Sequence, residues 1–215
     1  GMGTTSAAVL ATLLAYDETL GAPVANATYS GYQRLHSRGT VLIMDTGRPP
    51  PPLVSREATA SCLAFEFSSG ASRIVVNCGT PAFSDPDWRR VARSTAAHST
   101  ATIGDTSSCR FARGSFVTRR IGALVMAGPS LVTVKRSDAD EQSVVASHDG
   151  YVADFGYVHE RRVAIDQAGT TLRGEDRFVP ARGASDATFA VRFHLHPTVR
   201  ANLTSDGDYV LMMTA

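Results

Sequence analysis

A residue period of two, recurring through short segments bounded by turn residues, constrains this chain more than any other feature. Leu63, Phe65 and Phe67 alternate with Ala64, Glu66 and Ser68, and Phe189, Val191, Phe193 and Leu195 repeat the pattern near the other end. Alternation of this kind puts every second side chain on one face of a strand, so it predicts sheets buried on one side. Tyr29–His36 and Gly39–Asp45 read as a hairpin about Ser37-Arg38-Gly39, and Ser69-Gly70 leads into Ser72–Cys78. Ala97–Ile103 is a further strand candidate, and Ser115–Thr118 with Leu124 and Met126 suggests another pair. Three more hairpins are expected: Leu131–Lys135 with Val144–Ser147, Arg161–Asp166 with Thr170–Asp176, and Val199–Leu203 with Tyr209–Met213. The run Pro49–Pro52 cannot lie inside a sheet, because each proline lacks the N–H a ladder needs, and it reads as an extended connector. Ten or more short strands predict an all-β, antiparallel sandwich.

One segment breaks the pattern. Val9, Leu10, Leu13 and Leu14 fall on one face at helical spacing, Thr4, Thr5 or Ser6 can cap it, and Gly21 and Pro23 stop it. A helix over roughly Thr5–Thr19, packed at the sandwich edge, is expected as the chain's single helix. At the other end Met212–Ala215 is still strand-like, so both termini read as cuts in a longer protein. Lys and Arg number 21 against 20 Asp and Glu, for a net charge of +1. That balance argues against nucleic acid as partner. No apolar run is long enough for a membrane span, and no cationic segment precedes Ala7–Ala15 as a signal peptide requires. Cys62, Cys78 and Cys109 lack metal-binding spacing and read as buried apolar thiols. Neither a G-x-S-x-G elbow nor a phosphate-cradling G-x-x-x-x-G-K-[ST] loop is present.

Four stretches together resemble the C-terminal region of heparinase II/III-like proteins. They are Ser61–Gly79 (SCLAFEFSSGASRIVVNCG), Trp88–Asp105 (WRRVARSTAAHSTATIGD), His148–Arg161 (HDGYVADFGYVHER) and Phe189–Arg200 (FAVRFHLHPTVR), in the family's order. The resemblance implies a supersandwich-like β domain over residues 27–215, with residues 1–26 a helix and linker left from an upstream α/α toroid. It also implies β-elimination on a uronate-containing acidic polysaccharide, heparin-like or alginate-like. The proton alpha to a uronate carboxylate must be removed by a Tyr or His base while the carboxylate charge is offset. In the family the toroid supplies much of that machinery, so the expectation is a fragment inactive alone, with its own toroid and an acidic polysaccharide as partners. The alternative is a non-catalytic carbohydrate-binding or structural module. A periplasmic location is implied by the resemblance only.

The same resemblance implies a zinc site and a histidine-rich stretch before the strand that begins near Leu63. Glu57 stands where a catalytic histidine is expected, Thr59 where a histidine ligand is expected, and Asn77 where a carboxylate ligand is expected, with Ser61 ending the stretch. Of that ligand set only His98 remains, and because Thr and Asn are poor zinc donors, no metal cofactor is expected. The catalytic candidates are thus His98, Glu57 and His148, and the substrate-binding candidates are Arg89, Arg90 and Arg93. Each has a plainer reading. His98 can be a structural histidine at a sheet edge, Glu57 a solvated loop carboxylate, and His148 a support for the Asp149-Gly150 turn. The arginines, Arg119-Arg120 among them, can sit on a solvated face. His194 and His196, two apart on an expected strand, form a weak metal-type pair without an identifiable third ligand.

Overall fold

A computed structural model describes residues 23–79, 85–112 and 122–214. The expected helix Thr5–Thr19, the Ser115–Thr118 strand and Arg119-Arg120 lie outside them. Two antiparallel sheets face each other. The first joins β1 (Asn26–Ala27), β2 (Tyr32–Ser37), β3 (Thr40–Asp45), β4 (Phe65–Ser69), β5 (Ser72–Val76) and β14 (His194–Leu195), in that spatial order. The second runs β12 (Leu172–Pro180), β11 (Tyr157–Ile165), β10 (Gln142–Tyr151) and β9 (Val132–Ser137). Three two-stranded pairs complete the fold: β6 (Ala101–Ile103) with β13 (Phe189–Val191), β7 (Arg110–Phe111) with β8 (Val125–Ala127), and β15 (Val199–Leu203) with β16 (Val210–Thr214). The chain is therefore an all-β, sandwich-like domain, as the alternation predicts.

The core fills the space between the two large sheets. Leu35, Leu42, Met44, Phe65 and Val75 from the first meet Val144, Ala146, Val163 and Ile165 from the second, with Cys62 and Leu63 entering from the loop before β4. On β3 the odd and even positions separate cleanly: Thr40, Leu42 and Met44 are buried, while Val41, Ile43 and Asp45 face outward and are half-buried. The register places Ile43 between Arg34 and Glu66 and sets Tyr32 opposite Asp45, so these side chains share the outer face.

Sequence reading departs from the structure at several elements. The short helix Val152–Phe155 and the pairing of Val125–Ala127 with Arg110–Phe111 were not anticipated, and three further departures bear on the site. The Phe189–Leu195 alternation is not one strand: β13 pairs with β6, whereas β14 pairs with β5 in the large sheet. The crossing between them is fixed by Arg192 N–H donating to Thr100 O (3.0 Å) and His194 N–H donating to Ser99 Oγ (2.9 Å). The expected strand Ala97–Ile103 begins as a 3-10 turn over Thr95–Ala97, and only Ala101–Ile103 is extended. A helix at Pro86–Ala92 was not anticipated, although its start is marked: Asp85 caps the Asp87 N–H at 2.7 Å, and Pro86 occupies the first turn.

A polar cluster lies inside the apolar interior. Arg161, 1% exposed, donates from Nε and Nη2 to the two carboxylate oxygens of Asp176 (2.8 and 2.9 Å). Its Nη1 donates to the carbonyls of Leu63 (2.9 Å) and Ser99 (2.8 Å). Two buried histidines extend the network. Gly150 N–H donates to His148 Nδ1 (3.1 Å), so the proton of neutral His148 sits on Nε2, which faces His159 Nδ1 at 3.3 Å. His159 Nε2 then donates to Asp176 Oδ1 at 2.7 Å, and Phe178 stacks on the His159 ring. Burial pushes the His148 imidazolium down to about 3, helped by His159 beside it, and burial lowers His159 against the pull of Asp176. For Asp176, burial acts upward but the hydrogen bonds from His159 and Arg161 outweigh it, holding the carboxyl at about 2.

Two expectations follow from this network. Replacing Asp176 with Asn leaves the Arg161 charge buried without its partner, which costs about 3–5 kcal/mol of stability; urea unfolding monitored by circular dichroism measures it. Acid acts through the histidines: between the depressed folded values and the unfolded value near ~6.5, the unfolded chain binds more protons. Stability therefore falls as pH drops through that window, with His148 contributing up to about 1.4 kcal/mol per pH unit and His159 acting in the same direction. Thermal unfolding from neutral pH down to about 4.5 tests this within the histidine window, above the range in which Asp176 loses its charge.

Candidate functional site

The residues that sequence reading singled out gather around the loop before β4, the end of β5 and the segment Ser94–Thr100, but they do not form one constellation. Thr59 Oγ1 donates to Ser61 Oγ (2.9 Å), and Ser61 Oγ donates to Asp45 Oδ2 (2.6 Å). Asp45 Oδ1 accepts from Gly47 N–H at 2.9 Å. Burial raises the Asp45 carboxyl above its ordinary value, against the hydrogen bonds from Ser61 and Gly47. Asn77 is held on both sides of its amide: Oδ1 accepts from Ser99 N–H (2.8 Å), and Nδ2 donates to Glu66 Oε1 (3.3 Å).

His98, 5% exposed, places Nδ1 2.8 Å from Ser94 O, so that nitrogen carries the proton and donates. Burial lowers its imidazolium to about 4, opposed by the Ser94 bond and reinforced by nearby His194. A neutral imidazole tied to backbone is the result. The donor set does not fit a zinc ion: Thr59 and Asn77 supply a hydroxyl and an amide, both already engaged, beside one imidazole.

Glu57 is exposed on the loop surface, 3.8 Å from Arg89 and 3.9 Å from Arg56. His148, 1% exposed, lies in the sandwich interior, where no polysaccharide reaches it; its contacts are Gly150 and His159. Arg93 also departs from the substrate-binding expectation. Its guanidinium is buried, donating to Ala58 O (2.6 Å), Ala123 O (2.6 Å) and Ser55 O (2.9 Å), with Phe111 4.4 Å away under the plane. It is the pin that fastens the helix Pro86–Ala92 to the loop carrying Glu57 and Thr59. Arg89 and Arg90 keep their heads in solvent, Arg90 beside Asp87 at 3.4 Å.

Several residues of the outer face were missed in the sequence. Tyr32, Asp45 and Glu66 come together there, and burial, with Asp45 and Glu66 adding their charge, raises the Tyr32 hydroxyl above its ordinary value. The pattern that could have revealed them is the half-exposed phase of β2, β3 and β4, which sequence reading used only to locate the core. Cys78 is exposed rather than buried, unlike Cys62 and Cys109, and all three are free thiols. Its Sγ lies 3.5 Å from His194 Nδ1, while His194 Nε2 donates to Ala96 O at 2.9 Å. His196 lies outside β14, and its Nδ1 accepts from Thr198 N–H (3.3 Å). Among the described residues no group of three or more His, Cys, Asp or Glu side chains is placed to hold a metal.

Comparison with known proteins agrees with this architecture. FtsZ-localized protein C of Caulobacter vibrioides (strain NA1000 / CB15N) is 32% identical over 222 residues, an alignment covering 99% of this chain and 38% of that protein. Crystal structures of heparan sulfate lyase HepC from Pedobacter heparinus, a mutant and the lyase itself, match with TM-scores of 0.66 and 0.64. Both are 15% identical to this chain and cover 94% of it and 31% of the lyase, a likeness of fold. The chain thus spans between three and four tenths of the length of these relatives. A family model described as Heparinase II/III-like, C-terminal, matches residues 19–215, and the chain belongs to that family as a representative of its C-terminal domain.

Proposed function

We propose that this domain is a glycan-facing, non-catalytic module of a larger heparinase II/III-like protein. One observation carries the reading: the positions where the family resemblance implies metal donors are closed into a hydrogen-bonded ladder, Thr59 to Ser61 to Asp45, with Asn77 fixed between Ser99 and Glu66. β-Elimination needs an accessible base and a positive environment for the uronate carboxylate. His98 is neutral and bonded to backbone, His148 is interior, and the carboxylates Asp45 and Glu66 face the surface where the anion would sit. The name of the Caulobacter relative refers to localisation with FtsZ rather than to a reaction, which is in keeping with a binding or supporting role.

The lyase reading keeps one support, the fold shared with heparan sulfate lyase. On that reading the chain is the sandwich half of an enzyme acting on an acidic polysaccharide, its base supplied by a helical toroid upstream. Arg89 and Arg90 are the cations left accessible to such a substrate.

The purified chain is expected to release no unsaturated uronate from heparan sulfate or alginate, with or without added zinc, while retaining reversible binding to immobilised oligosaccharides. Product absorbance above a heat-killed control, abolished by His98→Ala, overturns the non-catalytic reading. Elemental analysis after dialysis against zinc and then buffer is expected to find far less than one zinc per chain.

A further inference from the structure

We infer that the groove between β5 and the His194–Pro197 segment binds a neutral, hydroxyl-rich sugar rather than a polyanionic one. The inference rests on the glycan-facing reading above and names the class of glycan. The groove encloses about 510 Å³, within the range of small-molecule sites, and Glu66, Arg73, Asn77 and His196 surround an apolar strip of Val76 and Pro197.

The lining matches a pyranose in kind and in charge. An apolar strip takes the C–H face of a sugar ring, which water solvates poorly, while the rim meets the hydroxyls. Glu66 offers a carboxylate acceptor that makes no ion pair among the described residues. Arg73, exposed at the rim, offers donors and likewise makes no ion pair among those residues. His196 Nδ1 is engaged by Thr198, 2.8 Å from Oγ1 and 3.3 Å from N, which leaves Nε2 as the ring nitrogen open to a sugar hydroxyl. One acceptor carboxylate and one guanidinium leave the groove without net charge, and beyond it the same outer face carries Asp45 and Arg34, again one of each sign. A uronate or sulfated chain would bring several anions against Glu66, with Arg73 as the one guanidinium lining the groove. Neutral hydroxyls both donate to Glu66 and accept from Arg73, with no charge to desolvate.

The test is an NMR titration of the ¹⁵N-labelled chain with three probes: a tetramer of N-acetylglucosamine, cellotetraose and a heparin tetrasaccharide, each at low and at high salt. At least one neutral probe is expected to shift backbone amides of Val76–Gly79 and His194–Thr198, with an affinity indifferent to salt. Glu66→Gln and Arg73→Ala are each expected to weaken it about tenfold, the loss of one hydrogen bond to a charged group, with unchanged thermal unfolding. Binding of heparin alone at these amides, fading with salt, overturns the neutral-sugar assignment while leaving a glycan-facing module standing. Shifts from none of the three probes at these amides also overturn the assignment, and absence of shifts anywhere in the chain removes the glycan-facing reading as well. Shifts from a neutral probe that both variants leave unaltered place the sugar elsewhere and sink the groove.

Discussion

The interior pair Arg161–Asp176 is the interaction on which the rest of this domain depends. A guanidinium with almost no exposed surface is tolerable only when its donors meet acceptors, and four of them do, two on Asp176 and one each from the shared Nη1 to Leu63 and Ser99. Those last two carbonyls belong to segments outside the four-stranded sheet. Leu63 ends the loop that carries Thr59 and Ser61, and Ser99 follows His98. The charge in the core therefore fixes, through backbone, the two segments that shape the outer surface. Leu63 pays for this in conformation: its φ of +62° is rare for a side chain branched at Cγ, and the left-handed backbone costs about 1–3 kcal/mol. The carbonyl it presents to Arg161 and the burial of its side chain in the core offset that cost.

What was legible in the sequence is what obeys a local period. The β2–β3 and β11–β12 hairpins follow from strand patterning and turn chemistry, but in the continuous apolar run Val41–Met44 only the structure decides that Leu42 and Met44 are buried. Choice of partner was not legible. Phe189 to Leu195 alternates without interruption, but whether both halves pair with one neighbour depends on where Thr100 and Ser99 stand, which is a tertiary fact. Burial of charge was equally hidden. Arg93 in Trp88–Asp105 and His148 beside Asp149-Gly150 look like surface residues by type. Their positions become interior only because three carbonyls surround the one and a second histidine accepts from the other.

The site positions fall between these cases. The family resemblance, counted from Leu63, marked Glu57, Thr59, Asn77 and His98, and the fold brings Asn77 and His98 within one bonded neighbourhood through Ser99. What spacing could not supply is the state of each donor. Asn77 is coordinatively occupied because a backbone N–H and a carboxylate already bracket its amide, and His98 is neutral because burial outweighs its single backbone bond.

Hydroxyls and an amide set the chemistry of this face: Thr59, Ser61 and Asn77 are engaged with Asp45, Glu66 and Ser99. Asp45 is held by Ser61 and Gly47, and with Glu66 it adds to the burial that raises the Tyr32 hydroxyl. The scaffold is held from the other side, since Arg161, paired with Asp176, fixes the Leu63 and Ser99 carbonyls from the interior. That separation allows the surface chemistry to diverge while the sandwich stays the same: the constraint lies in the core, and the donors facing outward are free to change.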